Sequence, residues 1–366
     1  MSTRKKHDIF FIIIILTLVL FGFFVLSSAS LGLASQANKN SYVPLLKQLL
    51  IGGGLGSILF FITSRFHYKK WRRLSLPFFV FSLFVTILVF APHVGLEHGG
   101  AKRWLSLGIT SFQPAELLKF AFVIYLCSWL AKKQKDISTF KTGLIPFFII
   151  MSIAGTILIF QPDMGTLIVI AVTGGLLFLL AGARFAQVGT LLLVGLVLLS
   201  ALAFSEPYRR SRMAVFFDNS YDLQGEGYQL NQAKIAIGSG GMFGKGFGEG
   251  LSKYNYLPEP TGDSIFAIVG EEFGYIGSIF LISLFLIFFF KVVHVALKTN
   301  DVFGRLLALG IAILIIVQSF INISAIVGLI PLTGLPLIFI SHGGSALALS
   351  LAEVGIIYNI SKNNRK

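Results

Sequence analysis

Cysteine occurs once in this chain, as Cys127, which excludes an intrachain disulfide and a dithiol redox pair. Charge is scarce as well: 13% of the 366 residues are charged and 55% are hydrophobic, a balance far from that of a soluble globular domain. Acidic residues are the scarcer sign, 16 against 30 Lys and Arg. Tryptophan (3) and tyrosine (10) are few beside 37 phenylalanines, which suit lipid-facing and helix-packing surfaces. What the chain has in abundance is long apolar runs. A helix needs about 20 such residues to cross roughly 30 Å of hydrocarbon. Runs of that length centre near Leu18, Leu55, Leu83, Val123, Ser152, Val172, Val194, Ile282, Leu314 and Leu351. The expectation is an all-α polytopic membrane protein with ten transmembrane helices. No internal repeat or low-complexity tail interrupts it, so residues 1–366 are expected to form one domain.

A net charge of +14 would suit a nucleic-acid binder, but its placement argues against one. Arg4, Lys5 and Lys6 precede the first run, and Arg65, Lys69, Lys70, Arg72 and Arg73 fill the second connection. Lys132, Lys133, Lys135 and Lys141 follow the fourth run, Lys291, Lys298 and Arg305 the eighth, and Lys362, Arg365 and Lys366 the last. These lie in alternate loops, hence on one side. The positive-inside rule then puts both termini in the cytoplasm and requires an even number of spans. The apolar run from Ile9 to Leu26, about 18 residues, exceeds a signal-peptide core of about 7 to 15, and a retained first helix is expected.

The large segment between the seventh and eighth runs, Ser205 to Asp263, is then extracytoplasmic, with most of the unusual residues on its face. GSGGMFGKGFGEG at Gly238 to Gly250 lacks the phosphate-loop pattern: Lys245 precedes Gly246, not Ser or Thr, and Ser239 stands five before Gly244. Two readings stay open, diphosphate contact through backbone N–H groups and Lys245, or a tight loop that needs glycine for its turns. Arg209, Arg210 and Arg212 contradict the inside bias of the basic residues. They either bind an anion or pair with nearby Glu206, Asp218, Asp222 and Glu226. Glu116 and Lys119 can neutralise one another within a span, as glue or as a cavity lining. Asp163 in QPDMGT stands at a helix junction, where capping is the simplest role. Glu271 and Glu272 fall about 12 to 14 Å along the helix that Asp263 precedes, and at least one should meet a polar cavity or a partner. His93, Glu97, His98 and His342 have no metal-site spacing, and no fixed metal centre is expected.

GAKRWLSLGITSFQPAELLKF, QPDMGT, YRRSRMAVFFD, GYQLNQAKIAIGSGGMFGKG, YLPEPTGDSIFAIVGEEFGYIG and PLTGLPLIFISHGGSAL, in that order, resemble the SEDS proteins of bacterial shape, elongation, division and sporulation. The resemblance covers essentially the whole chain and is nearer the division branch than the elongation branch. It implies a peptidoglycan glycosyltransferase that polymerises lipid II on the outer face of the cytoplasmic membrane. The family's essential carboxylate falls on Asp263. Its substrate-binding candidates fall on Glu116, Lys119, Asp163, Arg209, Arg210 and Arg212, and Arg103, Lys245 and Ser341 lie within the same motifs. Gly262, Ser264 and His342 depart from the family's usual Thr, Phe and Tyr.

One carboxylate suffices for such chemistry, because a diphosphate leaving group departs without a general acid. Asp263 would take the proton of the attacking hydroxyl, and one displacement would invert an α to a β linkage. Mg²⁺ or Mn²⁺ is a possible cofactor. A class B penicillin-binding protein and other division proteins of the membrane are the implied partners, and nucleic acid is not. A lipid II flippase and a nonenzymatic scaffold are the alternatives. Charged residues on one face suit catalysis better than alternating access, and a scaffold has no need of a carboxylate beside arginines.

Overall fold

A computed structural model describes residues 8–34, 42–98, 101–106, 108, 111–204, 207–218, 222 and 225–363. Ten apolar helical segments coincide with the ten runs. Nine are long and apolar enough to cross a membrane: α1 (Ile9–Ala34), Val43–Arg65, α4 (Lys69–Ile87, extended to Phe90), α5 (Pro114–Lys132), Phe140–Phe160, α8 (Phe185–Ala203), α11 (Ile265–Leu297), α12 (Val302–Ile326) and α13 (Gly344–Asn363). The tenth, α7 (Met164–Leu180), has 17 residues, about 26 Å of helix, slightly less than the hydrocarbon thickness. Val43–Arg65 comprises α2 (Tyr42–Lys47), a π-helical stretch Gln48–Leu55 and α3 (Gly56–Arg65), while α6 (Ile145–Phe160) completes the fifth segment.

Burial sorts these helices. α5, α12 and α13 form the centre, and α8 is almost wholly exposed at its flanks. The central three carry Glu116, Lys119, Gln318, Asn322, Glu353 and Asn359, all buried. Polar side chains are costly against lipid, so they collect where protein surrounds them. Some hydroxyls within spans bond their own helix: Thr86 Oγ1 donates to Ser82 O (2.6 Å) and Ser319 Oγ to Ile315 O (2.8 Å).

Two features depart from a simple bundle. Part of the segment before α5 is an antiparallel sheet, β1 (Gly95–His98), β2 (Ala101–Ser106) and β3 (Ser111–Phe112), with Gly95 opposite Leu105 and Leu105 opposite Phe112. An all-α reading omits it; its strands are too short to show period-two alternation. The second is a break in α11 at Gly274, whose φ of 66° and ψ of −160° interrupt the hydrogen-bond ladder. The glycine-rich segment after α10 (Glu226–Ser239) fills the break. Lys245 N and Gly246 N donate to the carbonyls of Glu271 and Glu272, both at 3.0 Å, and Tyr275 N and Ile276 N donate to Gly241 O (2.9 Å) and Met242 O (3.1 Å). A broken helix is tolerated at membrane depth only when protein satisfies its freed backbone groups, and this segment does so.

Candidate active site

Asp263 stands at the end of the loop leading into α11, and three consecutive carbonyls fix its backbone. Thr261 O accepts from His342 N (2.8 Å), Gly262 O from Ser341 Oγ (2.7 Å) and Asp263 O from Asn322 Nδ2 (2.7 Å). Ser341 Oγ also accepts from Leu337 N (2.8 Å), and Asn322 Nδ2 also donates to Leu335 O (2.7 Å). The extended segment between α12 and α13 is thus tied to the Asp263 loop along its length. Gln48 braces it further, donating to Ser341 O (3.1 Å) and accepting from Gly343 N (2.9 Å). Ser341, expected at the substrate, is here a support for Asp263.

The Asp263 carboxyl is partly buried. Gln229 Nε2 donates to its Oδ1 (3.0 Å) and to Ser264 Oγ (2.9 Å), and Ser264 Oγ lies 3.4 Å from the same Oδ1. Burial raises its pKa to about 6. The Gln229 hydrogen bond opposes that rise, Glu259 adds to it, and the Arg212 cation and Ser264 oppose it. Arg212, on α9 (Pro207–Phe217), donates from Nη1 to Leu332 O (2.8 Å), which holds its cation at the mouth of the segment that carries Asp263's supports. His342 is held neutral, its pKa lowered by burial and by the Lys47 cation. Asn322 Oδ1, Thr333 Oγ1 and His342 Nε2 are buried without a hydrogen-bond partner among the described residues. All three belong to the elements around Asp263, as in a site that a ligand completes.

The remaining candidates divide. Arg210 Nε donates to Phe204 O (2.7 Å) and turns back to the end of α8, and the side chain of Arg209 lies outside the described residues. Lys245 Nζ pairs with Glu271 Oε1 (2.8 Å), about two helical turns beyond Asp263. Glu272 is held by Lys253 Nζ (2.6 Å) and Ser28 Oγ (2.6 Å). Both acidic residues thus meet cations of the glycine-rich segment, as partners rather than as a cavity lining. Lys119 Nζ lies 2.7 Å from Glu116 Oε1 and donates to Gln318 Oε1, and Gln318 Nε2 donates to Pro336 O (3.1 Å). Asp163 caps α7, accepting from Thr166 N (3.0 Å) and Thr166 Oγ1 (2.9 Å). Arg103, presented by β2, donates to the carbonyls of Gln161 (3.4 Å) and Pro162. Gly165, the second residue of α7, packs so closely on Leu335 and Thr333 that a Cβ would sit 2.8 Å from Leu335 Cγ. Two separate supports, Glu116–Lys119–Gln318 and Arg103 with the Asp163-capped helix, therefore meet the 332–336 stretch.

Gln229, Gln318, Asn322 and Gln48 were not among the sequence candidates. Gln318 and Asn322 did leave a signal, two amides four residues apart in an otherwise apolar run.

Residues 8–366 match the family model for the FtsW, RodA and SpoVE cell cycle proteins. The chain is 38% identical to stage V sporulation protein E of Bacillus subtilis over 100% of both chains. It is 36% identical to a probable peptidoglycan glycosyltransferase FtsW of Trichlorobacter lovleyi, over 97% of this chain and 93% of that one. A chain of a peptidoglycan synthase complex that coordinates polymerization and crosslinking superposes with a TM-score of 0.80, at 25% identity over 99% of both chains. The rod shape determining protein RodA of Thermus thermophilus shares the fold, with a TM-score of 0.71 at 24% identity over 99% of this chain and 98% of that one. Matched from end to end by sequence and by architecture, this polytopic membrane protein belongs to the FtsW/RodA/SpoVE family of cell cycle proteins.

Proposed function

We propose that the chain is a peptidoglycan glycosyltransferase that polymerises lipid II on the outer face of the bacterial cytoplasmic membrane during septal wall synthesis. Asp263 carries the reading: one carboxyl, pinned by three anchored carbonyls, with a pKa near 6 and the Arg212 cation close by. A base of that pKa is ionised at neutral pH yet basic enough to accept a proton. The 4-hydroxyl oxygen of an acceptor GlcNAc bonds to the anomeric carbon of the donor MurNAc. The bond from that carbon to the diphosphate oxygen breaks, the hydroxyl proton passes to Asp263, and the electron pair leaves on the polyprenyl diphosphate. Attack opposite the leaving group inverts the anomeric centre. Arg212, with Arg209 on the same helix, meets the diphosphate, while Arg210 closes back on α8; Ser341, Asp163, Arg103, Glu116 and Lys119 hold the frame. Among the described residues no three His, Cys, Asp or Glu side chains form a metal-binding group. Mg²⁺ or Mn²⁺ would be held chiefly by substrate phosphates, with Glu259 the carboxylate near enough to join them while Asp263 stays free as the base. When bound it would neutralise diphosphate charge.

The placement of the basic loops supports both termini in the cytoplasm and Asp263 outside. The likeness to a synthase that couples polymerization to crosslinking supports a class B penicillin-binding protein as partner. The test is polymerisation of fluorescent lipid II by the purified protein with its transpeptidase. Asp263→Asn is expected to lower the rate by about 10²- to 10⁴-fold with the complex intact. Polymer at the wild-type rate removes Asp263's role. Transbilayer movement of lipid II without polymer from the wild type makes a flippase the better reading.

A further inference from the structure

At the membrane face opposite Asp263, α1, α3 and α13 enclose a groove of about 510 Å³, within the roughly 300–1,000 Å³ range of small-molecule sites. Its position follows from α13, which starts at Gly344 beside the Asp263 supports and reaches Lys362 after about 27 Å of helix. The walls are apolar: Ile12 and Leu16 from α1, Phe60 and Phe61 from α3, Leu351 from α13. Two cations, Arg65 at the C-terminal end of α3 and Lys362 in the last turn of α13, also line it, together with Ser64 and Tyr358. Arg65 lies 5.3 Å from the Phe61 ring centroid, and neither cation has a carboxylate partner among the described residues. At this end the one carboxylate among the described residues whose charge reaches the groove wall, Asp8 beside Tyr358, is itself paired with Lys291 at 2.9 Å. The turn that sets Arg65 is itself fixed: Asn359 Nδ2 donates to Ser64 O (2.8 Å), and Asn359 Oδ1 accepts from Tyr68 N (2.9 Å).

We infer that this groove is a binding site for one anionic glycerophospholipid of the membrane, its phosphate between Arg65 and Lys362 and an acyl chain along Leu16, Phe61 and Leu351. An apolar slot with two cations that no described carboxylate pairs with, at the lipid–water boundary, matches such a molecule in charge and in its apolar tail. A guanidinium fork pairs with two phosphate oxygens at once, and the lysine adds a point charge. A basic pocket between helix ends at a membrane surface is the usual form of a headgroup site. The site is separate from the proposed catalysis and stands without it.

Native mass spectrometry of the purified full chain, delipidated and then exposed to equal amounts of phosphatidylglycerol and phosphatidylcholine, tests this. The wild type is expected to retain phosphatidylglycerol preferentially. Each cation near an anionic headgroup contributes about a five-fold factor, so Arg65→Gln with Lys362→Gln should weaken retention roughly thirty-fold. Arg72→Gln with Arg73→Gln, outside the groove, should leave it unchanged. Equal retention of the two lipids by the wild type, or an undiminished preference in the Arg65/Lys362 variant, overturns the site. Equal loss in the Arg72/Arg73 variant does so too, since it would show a diffuse basic surface.

Discussion

Asp263 ionises near pH 6 because burial and the Glu259 charge outweigh the Gln229 hydrogen bond, the Arg212 cation and Ser264. As the proposed base, it must be ionised to work, so polymerisation should fall about ten-fold per pH unit below 6. A rate flat from pH 7 to 5 at constant substrate binding would contradict this. The same shift acts on stability with the opposite sense. The unfolded carboxyl ionises near 3.8 and the folded one near 6, so between those values the folded state binds more protons. Stability therefore falls as pH rises through that window, and the loss persists at pH 7. Asp263→Asn should raise Tm at pH 7 in detergent, with the gain shrinking toward pH 4. A lower Tm at pH 7 would mean that the attraction to Arg212 outweighs burial.

At the scale of elements, the break in α11 and the glycine-rich segment form one unit. Gly274 has backbone angles that are essentially glycine-only, and a Cβ there would lie 2.4 Å from Gly244 N. Gly274→Ala should destabilise by about 2 kcal/mol or more, read as lost Tm and rapid proteolysis of the 240–250 segment. The ion pair of Lys253 with Glu272 is fully buried, and Lys253 Nζ also donates to Ser28 Oγ (2.9 Å) and Gly248 O (2.8 Å). Removing one partner leaves a buried uncompensated charge, so Lys253→Met should cost about 3–5 kcal/mol, and Lys253→Met with Glu272→Met should recover most of it. Thermal unfolding of the three proteins decides; a double variant no better than the single would locate the cost in the lost Gly248 contact.

Across the whole molecule, two helix ends face two compartments. Cys127 is buried and is the chain's one cysteine, so single-cysteine labelling has a clean background. A membrane-impermeant maleimide on intact cells should label Phe243→Cys, beside the break in α11, and spare Lys135→Cys, in the loop after α5. The reverse result would invert the topology and remove external lipid II as the substrate. The exposed flanks of α8 fit a helix bathed in lipid, and its distance from the buried α5, α12 and α13 explains why it carries no ionisable group between Phe185 and Ala203.

Local composition determined the apolar segments, because the cost of placing a residue in hydrocarbon is nearly additive along a helix; ten runs became ten apolar helical segments, nine of them long enough to cross a membrane. The loop charges and the capping role of Asp163 were legible for the same reason, being properties of neighbouring residues. The short sheet was not, since its strands carry too few residues to show a period. Nor was the use of the glycine-rich segment: glycine advertises turns, but the broken helix it completes lies thirty residues away, beyond any local signal. Asp263 could be singled out through family resemblance, while its setting could not. Gln229, Asn322 and the adjacent pair Ser341 and His342 reach it from three parts of the chain, and only long-range packing decides which amide or hydroxyl meets which carbonyl. Arg210 and Lys245 show the converse, since a basic residue in sequence proximity to a site is claimed by whichever carbonyl or carboxylate the fold brings nearest.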